Sequence, residues 1–425
     1  MMNVRFDFFA LTVLGAVAAC TAGSDRSSDA APVTRDSAGI TIVDNSAVDP
    51  ARMLRWTVDT APAFVIGTTA GDSAYEFASI GDVHQLPNGM IVVLSGQGEA
   101  AFEFRFYDST GKHIVTHGRM GQGPGEYQWV NFFGSVGGDT LMGVDFHNSR
   151  ISWLSASKGY LRGVRLDENG FRKVIGTDAY GIVETMVPLG DSVYAVKAYR
   201  SVPNASLHEQ HRQTYHIVDL AAGTAINLGP YDDPPKKAVK LSTGGNNYMS
   251  SPDAGDPARV VDRERGRMCA VVTNATEIVC IERNGKRSHI RWRDDVVPYT
   301  AEDGREDEKA WRERLKGSRL PPQDIATLVA ARETPKRHQP IAAFELDTDG
   351  NFWILEPTLD SAKKRQSRFR IIAPDGRQIA FADPFPTGHI RVDQPLHIGS
   401  TSVLRVIETP DGAPAIGVFR IRKPD

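Results

Sequence analysis

An all-β chain, a six-bladed β-propeller carrying a small helical insertion, is the fold the sequence predicts, and three observations lead to it. A unit of about fifty residues recurs six times along the chain. Each unit reads as short runs of β-branched and aromatic residues between turns such as Asn88-Gly89, Ser109-Thr110-Gly111 and Asp375-Gly376. A single four-stranded meander leaves both faces bare, whereas six set radially cover one another.

The units follow in order. "LPNGMIVVLSGQGEAAFEFRFYDSTGKHIV" begins at Leu86 and "VGGDTLMGVDFHNSRISWLSASKGYLRGV" at Val136. "PLGDSVYAVKAY" begins at Pro188 and resumes at Thr214; "DRERGRMCAVVTNATEIVCIERNGKRSHI" begins at Asp262. "DTDGNFWILEP" begins at Asp347 and resumes at Phe369, and "IGSTSVLRVIETPDGAPAIGVFRI" begins at Ile398. Gly89, Gly138, Gly190, Gly266, Gly350 and Gly399 anchor equivalent turns, with insertions stretching two of the intervals. The last unit supplies three strands, so the early segment Ile40 to Val43, or "FVIG" from Phe64, is expected to complete it. One insertion, about 301–332, is helical: "EDGREDEKAWRERLKG" offers only Ala310, Trp311 and Leu315 as a narrow apolar stripe. It is a rim decoration or a partner-binding lid.

The N-terminus reads as an export signal over residues 1–19. Arg5 precedes an apolar run from Phe8 to Ala19, shorter than the roughly 20 residues that span a bilayer. Val17-Ala18-Ala19-Cys20 resembles the bacterial lipoprotein box, although Asp7 is unusual in a region that is normally basic. The resemblance implies lipidation at Cys20; the polar tract from Thr21 to Ser37, with little to bury, reads as a flexible tether, so that the chain divides into a lipid-anchored tether over 20–38 and a propeller over 39–425. Thr21 in place of an aspartate implies a lipid anchor in the outer membrane, facing the periplasm, within the cell envelope; an ordinary cleaved signal is the alternative. Of three cysteines, Cys269 and Cys280 remain as an even pair flanking a hairpin with its turn at Asn274-Ala275, directly opposed in register. They are expected to form a disulfide, or else remain as two buried thiols. A net charge of −3 argues against nucleic acid as a partner.

"LMGVDFHNSRISWL" is similar to the NHL-type blade, in which an Asp, an Asn and an Arg-Ile close one strand and open the next; Asp145, Asn148, Arg150 and Ile151 hold those places. "GQGPGEY", "ITIVDNS" and "DTDGNFWIL" resemble segments of exported six-bladed propeller lipoproteins. The resemblance implies a fold and leaves activity open, since propellers host many functions.

The stretch "GRMGQGPGEY", Gly118 to Tyr127, has the glycine content of a phosphate loop but neither fingerprint: Glu126 stands where a dinucleotide loop needs its third glycine, and Pro124 where a P-loop needs lysine. It lies between two units, and Glu76-Phe77 parallels Glu126-Tyr127 before the first unit. A repeated loop reads as an interblade crossover with Tyr127 inserted between blades and Glu126 capping loop amides; a ligand-facing role is the alternative. Crossovers share a face with the loops joining second to third strands, and that face collects the long, diverse loops, which points to binding there. Candidate binding residues are Glu126, Tyr127, Asp145, His147, Asn148 and Glu356.

No catalytic residue is assigned. His147, His208 and His211 do not form the H-E-x-x-H of a zinc helix motif, and there is no G-x-S-x-G elbow. Six-bladed lactonases hold a central Ca²⁺ with carboxylates and Asn; Asp82, Asp145, Glu184, Asp262 and Glu356 are counterparts by position only. Two functions follow: a non-enzymatic, lipid-anchored binding or scaffold module for a protein, peptide or glycan, with no cofactor or metal, or a Ca²⁺-dependent lactonase or related hydrolase with its metal in the central channel.

Overall fold

In the computed structural model, the described residues are 31–68, 70–97, 100–145, 147–166, 168–176, 185–190, 192–200, 212–232, 236–250, 257–316, 318, 320–384 and 396–424. The expected signal segment, Cys20, Glu184, His208 and His211 lie outside them. The described chain is mostly β with a small helical region.

Four repeat units fold as separate antiparallel meanders. The first blade comprises Ser79–Gln85, Ile91–Gln97, Ala100–Tyr107 and His113–His117, and the second Val130–Gly137, Thr140–Asp145, Arg150–Ser155 and Gly159–Arg165. The third comprises Thr185–Pro188, Val193–Arg200, Arg212–Asp219 and Thr224–Asp232. The fourth comprises Pro257–Asp262, Arg267–Val272, Glu277–Glu282 and Arg287–Arg291. Within each, apolar side chains alternate between the two faces, as a strand buried on both sides requires. In the fourth, Cys269 and Cys280 point to one neighbour while Met268, Ala270 and Ile281 point to the other.

The expected six-bladed propeller is corrected here, and with it the identification as an exported six-bladed lipoprotein of NHL-like type. Four blades stand apart; the fifth and sixth repeat units do not. Leu54–Val58 pairs in parallel with Gln378–Ala382 on one side and antiparallel with Pro414–Arg422 on the other. That strand fuses both units into one nine-stranded sheet, which also takes in Phe64–Ile66 against Pro414–Arg422. Counting repeats could not reveal this, because the bridging strand comes from the far end of the chain. Of the two segments expected to complete the last unit, Phe64–Ile66 does so. Ile40–Asp44 instead extends the fourth blade in parallel beside Arg287–Arg291. It forms a hairpin with Val33–Ser37, an exposed strand lying inside the span expected to be tether. Ala38 and Gly39 turn that hairpin with φ of 53° and 82°, the paired positive angles of a type I′ turn.

Apolar layers bind each sheet to the next. Leu94, Phe104 and Phe106 of the first blade pack with Phe133, Leu141 and Leu154 of the second. At the fused sheet, Trp353, Phe369 and Trp56 meet Val403 and Phe419. Each such fully buried side chain contributes about 1.5–3 kcal/mol relative to exposure. Several first strands are neighbours of one another: Ser79–Gln85 of both Val130–Gly137 and Leu396–Ile398, Thr185–Pro188 of Val130–Gly137, and Pro257–Asp262 of Ala343–Leu346. Helix α1 (Glu168–Ile175), which the sequence reading missed, seats Phe171 against Tyr194 between the second and third blades. The expected helical insertion is present as α2 (Ala301–Lys316) and α3 (Pro322–Ala331).

Candidate functional site

The glycine-rich crossover is held from within. The Glu126 carboxylate accepts from the Gly123 amide at 2.8 Å, the Gln122 amide at 3.1 Å, and Arg119 Nε and Nη2 at 2.9 and 2.6 Å. Hydrogen bonds from the Gly123 amide first, and then from Arg119, hold its carboxyl below the usual range. Tyr127 is 1% exposed, with its ring 5.2 Å from Phe104 in an edge contact. Its hydroxyl is buried facing the Ser152 hydroxyl, without a well-formed hydrogen bond among the described residues, and burial pushes the phenol up to about 12. Gly118, at φ 92°, has no room for a Cβ, which would lie 2.4 Å from the Phe102 carbonyl oxygen.

Asp145, Asn148 and Arg150 finish the same construction. Asp145 accepts from the Gln128 amide at 2.7 Å and from the Asn148 amide and side chain at 3.1 and 2.9 Å. Asn148 Nδ2 donates to the Gly121 carbonyl at 2.9 Å. Arg150 donates to the carbonyls of Gln122, Gly123 and Glu126, with its guanidinium 5.7 Å from the centre of the Tyr127 ring. The arrangement recurs one unit earlier, where Arg105 donates to the Ser73 and Glu76 carbonyls and sits 5.1 Å from the centre of the Phe77 ring. An arginine on the third strand thus clamps the crossover entering its own blade. His147 is the exception among the candidates: exposed, it touches the Trp129 ring at 5.4 Å.

Glu356 stands apart from this group. It is buried and bound by Arg368 Nε at 2.6 Å and by Arg370 Nε and Nη2 at 2.9 and 3.0 Å. Asp262 is likewise paired with Arg265 at 3.3 Å and Arg267 at 3.0 Å. Among the described residues no three His, Cys, Asp or Glu side chains converge as a metal site. The fourth blade joins Cys269 to Cys280 with an S–S distance of 2.03 Å, in directly opposed register.

The loop face carries two features shaped for contact. A cleft of about 480 Å³ is lined by Glu76, Phe77, Phe102, Glu103 and Arg105. Helix α3 docks beside the hairpin of Lys236–Lys240 and Asn246–Ser250: Asp324 accepts from the Ser242 amide at 2.7 Å and its hydroxyl at 2.9 Å. Asp303 on α2 resists the desolvation that would raise its pKa; hydrogen bonds from Thr300 and the neighbouring His338 hold it at about 2. It pairs with Arg365 at 2.9 Å, fastening the helix to the sheet.

A larger cavity, of about 680 Å³, opens on the opposite face, among the tight turns that join first to second strands. His84, Arg263, Asp347, His397 and Thr401 are among its lining residues. The sequence reading passed over this face because its turns are short. Its one legible signal was the charge of "DRER" at Asp262 to Arg265, placed at a turn that ends on the axis.

No protein-family description matches the chain, and no curated protein sequence does. Solved structures share its general shape at very low identity. An exported protein from Bacteroides fragilis, described as putative, is 9% identical, covering 88% of this chain and 99% of its own, with a TM-score of 0.44. A member of the duf4221 family from Bacteroides vulgatus is 9% identical over 86% of this chain and all of its own, with a TM-score of 0.47. Virginiamycin B lyase from Staphylococcus aureus is 8% identical over 86% and 99%, with a TM-score of 0.34. Likeness at this level carries no argument about activity.

Proposed function

We propose that the protein is a non-enzymatic binding or scaffold module, anchored by lipid at Cys20 in the cell envelope, on the outer membrane facing the periplasm, that engages a protein, peptide or glycan through its loop face. The observation that carries this reading is the occupation of the carboxylates that are counterparts of Ca²⁺ ligands by position. Asp145 is filled by amide donors, and Asp262 and Glu356 by guanidinium groups. To bind Ca²⁺ or activate water, these oxygens would have to give up charge-assisted hydrogen bonds of the stronger class. The cleft at Arg105 and the ledge of α3 and its hairpin supply contact surface on that face.

The test is site-specific photo-crosslinking in intact cells. A crosslinker at Leu359, exposed at the loop-face end of its strand, is expected to give one discrete adduct. A crosslinker at Lys158, exposed in a turn of the opposite face, is the control. Absence of an adduct at Leu359, or the same adduct from both positions, contradicts loop-face binding. Release of Cys20→Ala from the membrane fraction tests the anchor separately.

A further inference from the structure

We propose that the cavity among the tight turns is a second binding site, on the face opposite the loop face, and that it takes a small organic anion through the guanidinium of Arg263. Arg263 follows directly on the inner strand Pro257–Asp262 of the fourth blade. Its Nε donates to the Pro188 carbonyl of the third blade at 2.6 Å, and its Nη1 donates to the Ser135 carbonyl of the second. Three blades therefore fix the orientation of this head beside the cavity. Both bonds are to neutral carbonyls. No carboxylate among the described residues pairs with Arg263, and its Nη2 has no partner among them. A partly desolvated cation without a counter-ion is costly, and burial lowers its pKa from the usual arginine value, yet a guanidinium stays charged. A ligand oxyanion would supply the missing charge, and the fork suits carboxylate or phosphate geometry.

The opposite wall agrees. His397 and His84 stand with ring centroids 5.0 Å apart, from the sixth unit and the first blade. His397 Nε2 is buried with no hydrogen-bond partner among the described residues. Burial, reinforced by His84, keeps the His397 imidazole well below its ordinary pKa, so it is neutral and can donate one N–H. Two of the wall carboxylates, Asp262 and Asp347, already have partners. Asp262 is held by Arg265 and Arg267. Asp347 accepts from Asn351 Nδ2 at 2.8 Å and Trp353 Nε1 at 2.9 Å, and burial raises its pKa. Asp82 lies 3.5 Å from His84 Nε2, and Glu264 is exposed at the rim. The volume falls within the roughly 300–1,000 Å³ of small-molecule sites.

Calorimetric titration of the full-length chain with citrate, and separately with inorganic phosphate, tests the site. Saturable binding of one anion per chain is expected, and the two titrations distinguish a carboxylate-bearing from a phosphate-bearing ligand. Arg263→Gln should weaken binding at least tenfold and Arg263→Lys less, because the charge remains while the fork is lost. Should Arg263→Gln fail to fold, Thr401→Glu places a negative charge at the exposed rim without touching the core, and it should also weaken binding at least tenfold. Absence of saturable binding of either anion overturns the proposal. So does unchanged affinity in a folded Arg263→Gln or in Thr401→Glu.

Discussion

Truncating Tyr127 to alanine should damage the fold before it damages any binding. The side chain is 1% exposed, packed on Phe104 and covered by Arg150. Removing an aromatic ring of this size from a filled core costs about 3–5 kcal/mol. With an unfolding entropy of roughly 2.1 cal/mol/K per residue over about 390 residues, the slope is ~0.8 kcal/mol/K, and the melting temperature should fall by about 4–6 °C. Tyr127→Phe is the sharper companion. The buried hydroxyl faces Ser152 without a well-formed hydrogen bond among the described residues, so its removal should cost less than the about 1 kcal/mol typical of a hydrogen-bonded hydroxyl. Glu126→Gln should lower it less than Tyr127→Ala, because the amide oxygen still accepts from Gln122 and Gly123. Differential scanning calorimetry of the three variants decides. An unchanged melting temperature for Tyr127→Ala, or a larger loss for Glu126→Gln, would refute the architectural reading and favour a ligand-facing loop.

The Cys269–Cys280 link closes a short loop, so the double alanine variant should lose about 2–3 kcal/mol in denaturant titration, and thiol labelling of unfolded, unreduced protein should find neither cysteine free. His216 is buried with both ring nitrogens unpartnered among the described residues, and burial pushes its pKa down to about 4. Between about 6.5 and 4 the unfolded chain binds a proton there and the folded one does not, so this contribution is complete above pH ~6.5 and about 2–3 kcal/mol is lost as the pH falls toward 4. His397 acts in the same direction, while Glu345, pushed up to about 7 by burial and the charge of Asp82, acts in the opposite one. The diagnostic quantity is therefore the difference between wild type and His216→Leu, whose melting temperature should fall less from pH 7.5 to 5. Equal falls would show that His216 does not carry the effect. Arg105→Met should destabilise the first crossover as Arg150→Met does the second; a strong loss for only one would break the equivalence of the two clamps.

Local pattern carried the sequence reading where neighbours in space are neighbours in sequence. Alternating strands and glycine turns were enough for the four separate blades, and the hairpin register around Asn274-Ala275 brought Cys269 opposite Cys280. The reading failed where pairing is remote. Nothing near Leu54 announces a strand that joins Gln378–Ala382 to Pro414–Arg422. The crossover was legible as architecture from its repetition, and Asp145, Asn148 and Glu126 do meet there. Glu356 does not join them, because its oxygens are committed to Arg368 and Arg370. The Arg105 and Arg150 clamps were hidden because each arginine reads in sequence as an ordinary polar position on a strand. Arg263 was missed for a similar reason: its partners are backbone carbonyls of other blades, which leave no trace in residue type.

Binding without metal chemistry is the central claim, and metal analysis of the purified protein tests it most directly. After dialysis against buffer containing Ca²⁺, elemental analysis should find no stoichiometric ion, and EDTA should leave the melting temperature unchanged, since Asp145, Asp262 and Glu356 already hold amides and arginines. One tightly held Ca²⁺ per chain, with EDTA lowering the melting temperature and abolishing a lactone-hydrolysing activity, would contradict the account and restore the hydrolase reading.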